Sequence, residues 1–471
     1  MEFIFFERFP HLNELVFSEL DNESLVKCKE VDKTWNQFID SQKLPWIRMI
    51  EKQIGQHCIS HETWKKVTSK TKVKNVQELA FTVDQFYNDE FYDDEYTDVP
   101  NNEWTPIHII ASCGRLDLCQ LIFEKVIEKN PPCSYGITPL HMAAAKGHLD
   151  ICKLIMGYVN DKNPRDNEGK TPLHIAAQEG HFEVCKLIIE NVYNKSLADN
   201  HGDTPLHYAA QAGHWNICKL IIDLLDDKNP SDNRGRTPLY IAAREGHLDI
   251  YRLIFDCLED KNPSDNYGIT PFHTAAANGH FEICKIIMTN VNDKNPASDV
   301  GITPLDLGAQ EGHLNVCKLI IDCLDDKNPS SYDGFTPLHR AAARGHLEVC
   351  KYFLENVCNK NPANNEGFTP LHSAAMEGNL EVCKLFFENI SNKNPADNEG
   401  DTPLHYAAKQ CHLNVCKQII ENVADKNPSN DKGETPLSFA TQYGYNEICK
   451  LFTKRRKVRH NTFQKSKASK K

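Results

Sequence analysis

No stretch of the 471 residues approaches the ~20 consecutive apolar residues that a membrane-crossing helix needs. The opening Met1 to Phe6 has no basic flank and no small-residue cleavage site, and acids stand at Glu2 and Glu7. A chain beginning near Met1 in the cytoplasm or the nucleus, with no membrane partner, is therefore expected. A Gly-rich phosphate loop, a nucleophile elbow and an unrepeated carboxylate pair are all missing, so the sequence points to a binder with no catalytic residues and no cofactor. The 18 Cys are too dilute for a small disulfide scaffold and read as free thiols in a reducing compartment.

Glycine and proline are scarce everywhere outside one register. All but three of the 23 Gly and all but four of the 24 Pro recur at a fixed interval. Thr-Pro stands at Thr105, Thr138, Thr171, Thr204, Thr237, Thr270, Thr303, Thr336, Thr369, Thr402 and Thr435, each step being 33 residues. Length alone suggests roughly three domains of ~150 residues. The repeat replaces that expectation with a stack of small units.

One copy can be read physically. Asp166-Asn167-Glu168-Gly169 is turn chemistry and should form the tip of a hairpin-like finger. Thr171 is an N-cap, and Pro172 takes the first helical position, where its missing donor costs nothing. Leu173, Ala176 and Ala177 give a short helix one apolar face, which Gly180 ends. A second helix carries Val184, Cys185, Leu187 and Ile188 as its stripe. Such a pair cannot bury its apolar face alone, whereas stacked copies can.

The pattern Gly-x-Thr-Pro-Leu-His-x-Ala-Ala-x-x-Gly-His resembles the ankyrin repeat. The resemblance implies an all-α solenoid of eleven helix-turn-helix pairs with β-hairpin fingers over residues 100–453. One departure runs through the chain. After the second helix the family has Gly-Ala-Asp-Val-Asn-Ala, where this sequence has Val-x-Asp-Lys-Asn-Pro, as at Val159 to Pro164. The length is kept, so stacking should survive, and the loop conformation stays open.

Two residue sets look like chemistry. Ten Cys stand fourteen residues after the Thr, with Tyr251 in the remaining copy, and eight His stand four residues before that position. His148 and Cys152 have a spacing that could place two zinc ligands on one helix face. The favoured alternative is structural, because free Cys is a good small core residue. Disulfides between copies are not expected, since packed helices lie ~8–10 Å apart and a disulfide needs Cα atoms within ~7 Å. A second His set, three residues after the Thr (His108, His141, His174, His207, His273, His339, His372 and His405), reads through the resemblance as hydrogen-bonding neighbouring loops. Tyr240, Asp306 and Ser438 replace it in three copies, and the Asp306-Leu307-Gly308 copy should be a weaker joint.

Residues 1–50 differ in composition. Apolar residues at Leu12, Leu15, Val16, Leu20, Leu25 and Val31 suit short packed helices, with Trp35 and Trp46 as anchors. A Pro-led start, a central Leu-Asp, Val-x-x-x-Trp and a terminal Leu-x-Trp over residues 8 to 49 resemble an F-box. That resemblance implies binding of a Skp-type adaptor, and through it a cullin ubiquitin ligase, by Pro10, Leu12, Leu15, Val16, Leu20 and Leu25, with Trp35 supporting the module. The alternative is a helical cap over the first repeat. Residues 51–99 are expected to be a helical and acidic linker, in which seven acids from Asp84 to Asp98 interleave with Phe86, Tyr87, Phe91, Tyr92 and Tyr96; the alternative is that this acidic stretch lies along the first repeat.

The residue before each repeat Thr varies most. Four consecutive apolar choices, Ile269, Ile302, Phe335 and Phe368, lie between charged ones; at ~10 Å per copy they would make an apolar stripe ~30 Å long. Tyr267, Tyr332 and Arg340 lie close by and complete the candidate target-binding set. The alternative is that finger positions simply favour β-branched and aromatic residues. The tail, residues 454–471, is expected to be disordered and holds nine basic residues and no acid; Lys454, Arg455, Arg456 and Lys457 form a candidate nuclear-import cluster, the alternative being a solvated tail without that role. Removing those nine charges from the net −12 leaves −21 on the rest, which argues against nucleic acid as a ligand of the repeats. The whole reads as a monomeric substrate receptor, or else as an ankyrin scaffold or inhibitor without a ligase link. F-box and ankyrin modules occur together in large DNA viruses that act on host cells, so a host-virus role is a further expectation.

Overall fold

The computed structural model describes residues 104–123 and 128–452. These fall into two compact units divided between Asn233 and Arg234. In the first, helix pairs run α1 Pro106–Ser112 with α2 Leu116–Phe123, α3 Pro139–Ala145 with α4 Leu149–Tyr158, α5 Pro172–Gln178 with α6 Phe182–Asn191, and α7 Pro205–Ala212 with α8 Trp215–Ile222. The second holds α9 Pro238–Glu245 with α10 Leu248–Phe255, α11 Pro271–Ala277 with α12 Phe281–Asn290, and α13 Pro304–Gln310 with α14 Leu314–Ile321. It continues with α15 Pro337–Arg344 and α16 Leu347–Asn356, α17 Pro370–Met376 and α18 Leu380–Asn389, α19 Pro403–Lys409 and α20 Leu413–Asn422, then α21 Pro436–Gln442. Residues 446–452 are again helical.

Within each unit the first helices pack more closely on one another than the second helices do. Side-chain size at the contact sets how near two helices come, and here the contact is made by alanines such as Ala176 and Ala177, both fully buried. The second helices bury a wider stripe, for example Val184, Cys185, Ile188 and Ile189. The repeated Cys is core in nine of its ten copies, Cys449 being half-buried: Cys317 is fully buried, and burial pushes its thiol up to about 12.

Within a unit the two His sets tie the copies that carry them to their neighbours on opposite sides. The backbone N–H of Thr171 donates to His174 Nδ1 at 3.0 Å while the Thr side chain caps the helix. That leaves Nε2–H of His174 to donate to the Asp203 carbonyl of the next copy at 3.1 Å. The other His looks backward: His181 Nε2 meets the Ala145 carbonyl at 2.9 Å. The same bond occupies His148, whose Nε2 lies 2.8 Å from Ser112 O, so this ring nitrogen is spent on stacking. Among the described residues no three His, Cys, Asp or Glu gather as a metal site.

The Asp-Lys-Asn-Pro loop has a use for each polar residue. In one copy Asp260 Oδ1 accepts the Asn262 N–H at 3.0 Å, which folds the loop back. Lys261 Nζ donates to Phe255 O at 2.6 Å, satisfying a carbonyl at the end of α10. Asn262 Oδ1 accepts the Phe272 N–H at 3.1 Å and so caps α11, the helix that follows. One tripeptide thus closes the helix behind it and opens the one ahead.

The fingers are closed as hairpins but contain no strand among the described residues. Asp265 N–H donates to Ile269 O at 2.8 Å, and Asp265 Oδ1 accepts the N–H groups of Tyr267 and Ile269, each at 2.9 Å. Side-chain acceptance by the Asp replaces ladder bonds that a longer hairpin would supply. Neighbouring tips are joined by Asn398, whose N–H reaches Glu366 O at 2.9 Å and whose Nδ2 reaches Asn365 O at 3.1 Å.

Candidate protein-binding groove

The fingers and the first helices of the second unit enclose a groove of about 410 Å³. Its finger side is Phe335, Glu366 and Phe368; its helix side is Gln310 of α13, His339, Arg340, Ala343 and Arg344 of α15, Ser373 and Met376 of α17, and Tyr406 of α19. Arg340, Ala343 and Arg344 lie three and four residues apart, one face of a helix. The hollow arises from side-chain size at one register. Four residues after the repeat Thr, the successive copies carry Arg340, Ser373 and Tyr406. The small, buried Ser373 leaves the space that its large neighbours wall in.

Aromatic rings form the walls. Phe335 and Phe368 have centroids 6.3 Å apart, and Phe368 meets Tyr406 edge to face at 5.1 Å. Phe368 also stacks on His372 at 5.1 Å. The Tyr406 hydroxyl donates to Asp397 Oδ2 at 2.7 Å, which fixes its ring. Burial, reinforced by that carboxylate, raises the Tyr406 pKa above the ordinary phenol range. Burial lowers His339 to about 4, so its ring in the groove wall is neutral.

One ion pair reaches the groove. Asp306 stands where most copies have the forward-looking His and plays the same capping part: Oδ2 accepts the Thr303 N–H and the Thr303 hydroxyl, each at 2.9 Å. Its other oxygen accepts Arg340 Nε at 3.2 Å from the next copy. Burial raises the Asp306 pKa, while Arg340 and the Thr303 donors act against that rise.

Of the seven candidate target-binding residues, the groove brings together Phe335, Arg340 and Phe368. Tyr267 and Tyr332 are exposed at finger tips, and Ile269 and Ile302 are half-buried away from the groove lining. The four apolar residues before the repeat Thr do not form one exposed stripe. Phe368 is only 9% exposed, and the chain groups here are drawn into stacking, as where His273 Nε2 meets Ile302 O at 3.0 Å. Ser373, Met376, Arg344 and Tyr406 were not legible as lining residues, although the small Ser373 between the larger Arg340 and Tyr406 at four after the Thr is visible in the sequence. Pro10, Leu12, Leu15, Val16, Leu20, Leu25 and Trp35, together with Lys454, Arg455, Arg456 and Lys457, lie outside the described residues.

Fold and groove together define a repeat protein built from capped helix pairs, with an apolar recess between fingers and first helices. The family model described as Ankyrin repeats (3 copies) matches residues 73–166, 140–232, 192–265, 252–331, 305–397 and 385–463. The chain belongs to the ankyrin-repeat family and is a protein-binding scaffold. Comparison with curated proteins returned no match. No helix among the described residues is long and apolar enough to cross a membrane.

Proposed function

We propose that the chain is a non-catalytic receptor that holds a target protein in the groove of Phe335, Phe368 and Tyr406 and brings it to a Skp-type adaptor and cullin ubiquitin ligase. The observation that carries the target half is the groove itself: about 410 Å³ of space with three aromatic rings and two arginines on its walls. Aromatic and Arg side chains are the types that dominate binding hot spots. The ligase half rests on the F-box-like residues Pro10, Leu12, Leu15, Val16, Leu20 and Leu25, with Trp35 behind them. The receptor acts as a monomer in the cytoplasm or the nucleus, and the cluster from Lys454 to Lys457 serves import.

A scaffold or inhibitor with no ligase link is the second reading. It is favoured by the family matches, which begin at residue 73 and leave residues 8–49 outside. Co-purification with a Skp-type adaptor separates the two. The receptor reading expects adaptor recovery by the wild type and its loss on Leu15→Arg with Leu20→Arg. No recovery by the wild type overturns the ligase link and leaves the scaffold.

A further inference from the structure

Asp306 is the one acid among the eleven residues that stand three after the repeat Thr, and Arg340 is the one cation among the eleven that stand four after it. The two exceptions meet at 3.2 Å, with the Asp306 side chain 1% exposed and the Arg340 side chain 21% exposed. Stacking alone does not account for them. Taking two charges out of water costs about as much as their attraction returns, so an ion pair is a poor exchange for a neutral His that caps equally well. The pair does fix a guanidinium in the groove wall. Asp306 takes Nε and leaves the other donors of the planar fork.

Arg344, one helical turn further on, adds a second guanidinium, and Glu366 on the finger side is the single carboxylate of the lining. Glu366 and the buried Asp306 balance the two guanidinium groups in charge, so what the lining offers a ligand is the guanidinium donors that Asp306 leaves unused on Arg340 and those of Arg344. Phe335, Phe368 and Tyr406 supply the apolar wall beside it. We propose that the groove takes a segment of the partner protein in which a carboxylate side chain neighbours a large apolar one, the carboxylate on Arg340 and Arg344 and the apolar group among the three rings. This rests on the groove being the target site. Asp306 is a positioning residue that holds Arg340 in place.

The test offers the full chain a set of immobilised octapeptides with a central Phe flanked by Glu, by Gln or by Lys. Glu-bearing peptides should bind about tenfold more tightly than their Gln counterparts, the worth of a hydrogen-bonded charge pair, and the preference should shrink as salt is raised. Arg340→Gln alone strands the Asp306 carboxylate and can unfold the joint. The deciding variant is Asp306→His with Arg340→Leu and Arg344→Gln, which restores the His found in most copies and removes both guanidinium groups from the lining. With its unfolding midpoint kept, it should bind Glu and Gln peptides equally. Equal binding of all three sets by the wild type, or a Glu preference that survives in the triple variant, overturns the carboxylate assignment and leaves the groove as the target site. No binding of any peptide by the wild type overturns both.

Discussion

A Cβ placed on Gly378 would lie 2.5 Å from Nδ1 of His412, the ring whose Nε2 meets Met376 O at 2.9 Å. Gly378 is also held at φ +80°, a conformation side chains disfavour. Two independent reasons thus require glycine where the first helix ends. The register breaks once: Cys411 occupies that position at φ 65°, and the residue 34 further on is Tyr445 in place of His, its ring stacked on Tyr443 at 5.8 Å. The glycine departs in the copy whose following His has departed.

Cys411→Gly should therefore raise stability by about 1 kcal/mol, the cost of a left-handed L-residue. Gly378→Ala should lower it by more, because the His412 bond to the preceding copy must also give way. Urea midpoints of the two variants check both signs.

Tyr251 is the Cys position of one copy, fully buried, and its hydroxyl finds no hydrogen-bond partner. Tyr251→Phe should stabilise by about 1 kcal/mol through removal of an unmatched polar group. Tyr251→Cys restores the common residue of the register but leaves a cavity, and should cost about 3 kcal/mol or more. Thermal unfolding of the pair separates polarity from volume.

Gly308 lies within α13, and a Cβ there meets only ordinary contacts, Val316 Cγ1 at 3.5 Å and Cys317 Sγ at 3.6 Å. Gly308→Ala should stabilise by about 1 kcal/mol from helix propensity alone, read as a higher urea midpoint. A lower midpoint would show that the contact is tighter than its distances suggest.

Acid should loosen the stack through the forward-looking histidines. Burial lowers His108, His174, His339 and His372 to about 4 and His141 to about 3, and shifts His273 and His405 in the same direction. The unfolded chain, with ordinary His near 6.5, binds more protons between that value and about 4. Stability is then full above pH ~6.5 and falls as pH drops toward 4. Protonation at Nδ1 also opposes the Thr N–H that this atom accepts, as in the 3.0 Å bond of Thr369 to His372. Urea midpoints across this range should fall with pH, less steeply in His372→Gln.

The Thr-Pro-Leu-His helix start and the Gly stop were legible in the sequence because each acts on its own few residues. Asp-Lys-Asn-Pro was not, because its partners lie on both sides: Lys261 serves the helix behind and Asn262 the helix ahead. The sequence marks Asp306 as a weak joint and Arg340, with Tyr267 and Tyr332, as a target-binding candidate, without linking the two, since nothing local joins residues 34 apart. The apolar residues before each Thr were visible, but not which of them face a recess. That depended on Ser373 being small between Arg340 and Tyr406.

Crosslinking tests most directly whether a partner docks in the groove beside Phe335. A photo-crosslinking residue placed at Met376, inside the groove, is to be compared with one at Lys351, exposed on α16. Docking there should give a crosslink to one discrete partner from position 376, none from position 351, and loss of the product on Phe335→Glu but not on Ile302→Glu. A crosslink from position 351 alone, or one from 376 that survives Phe335→Glu, would contradict it.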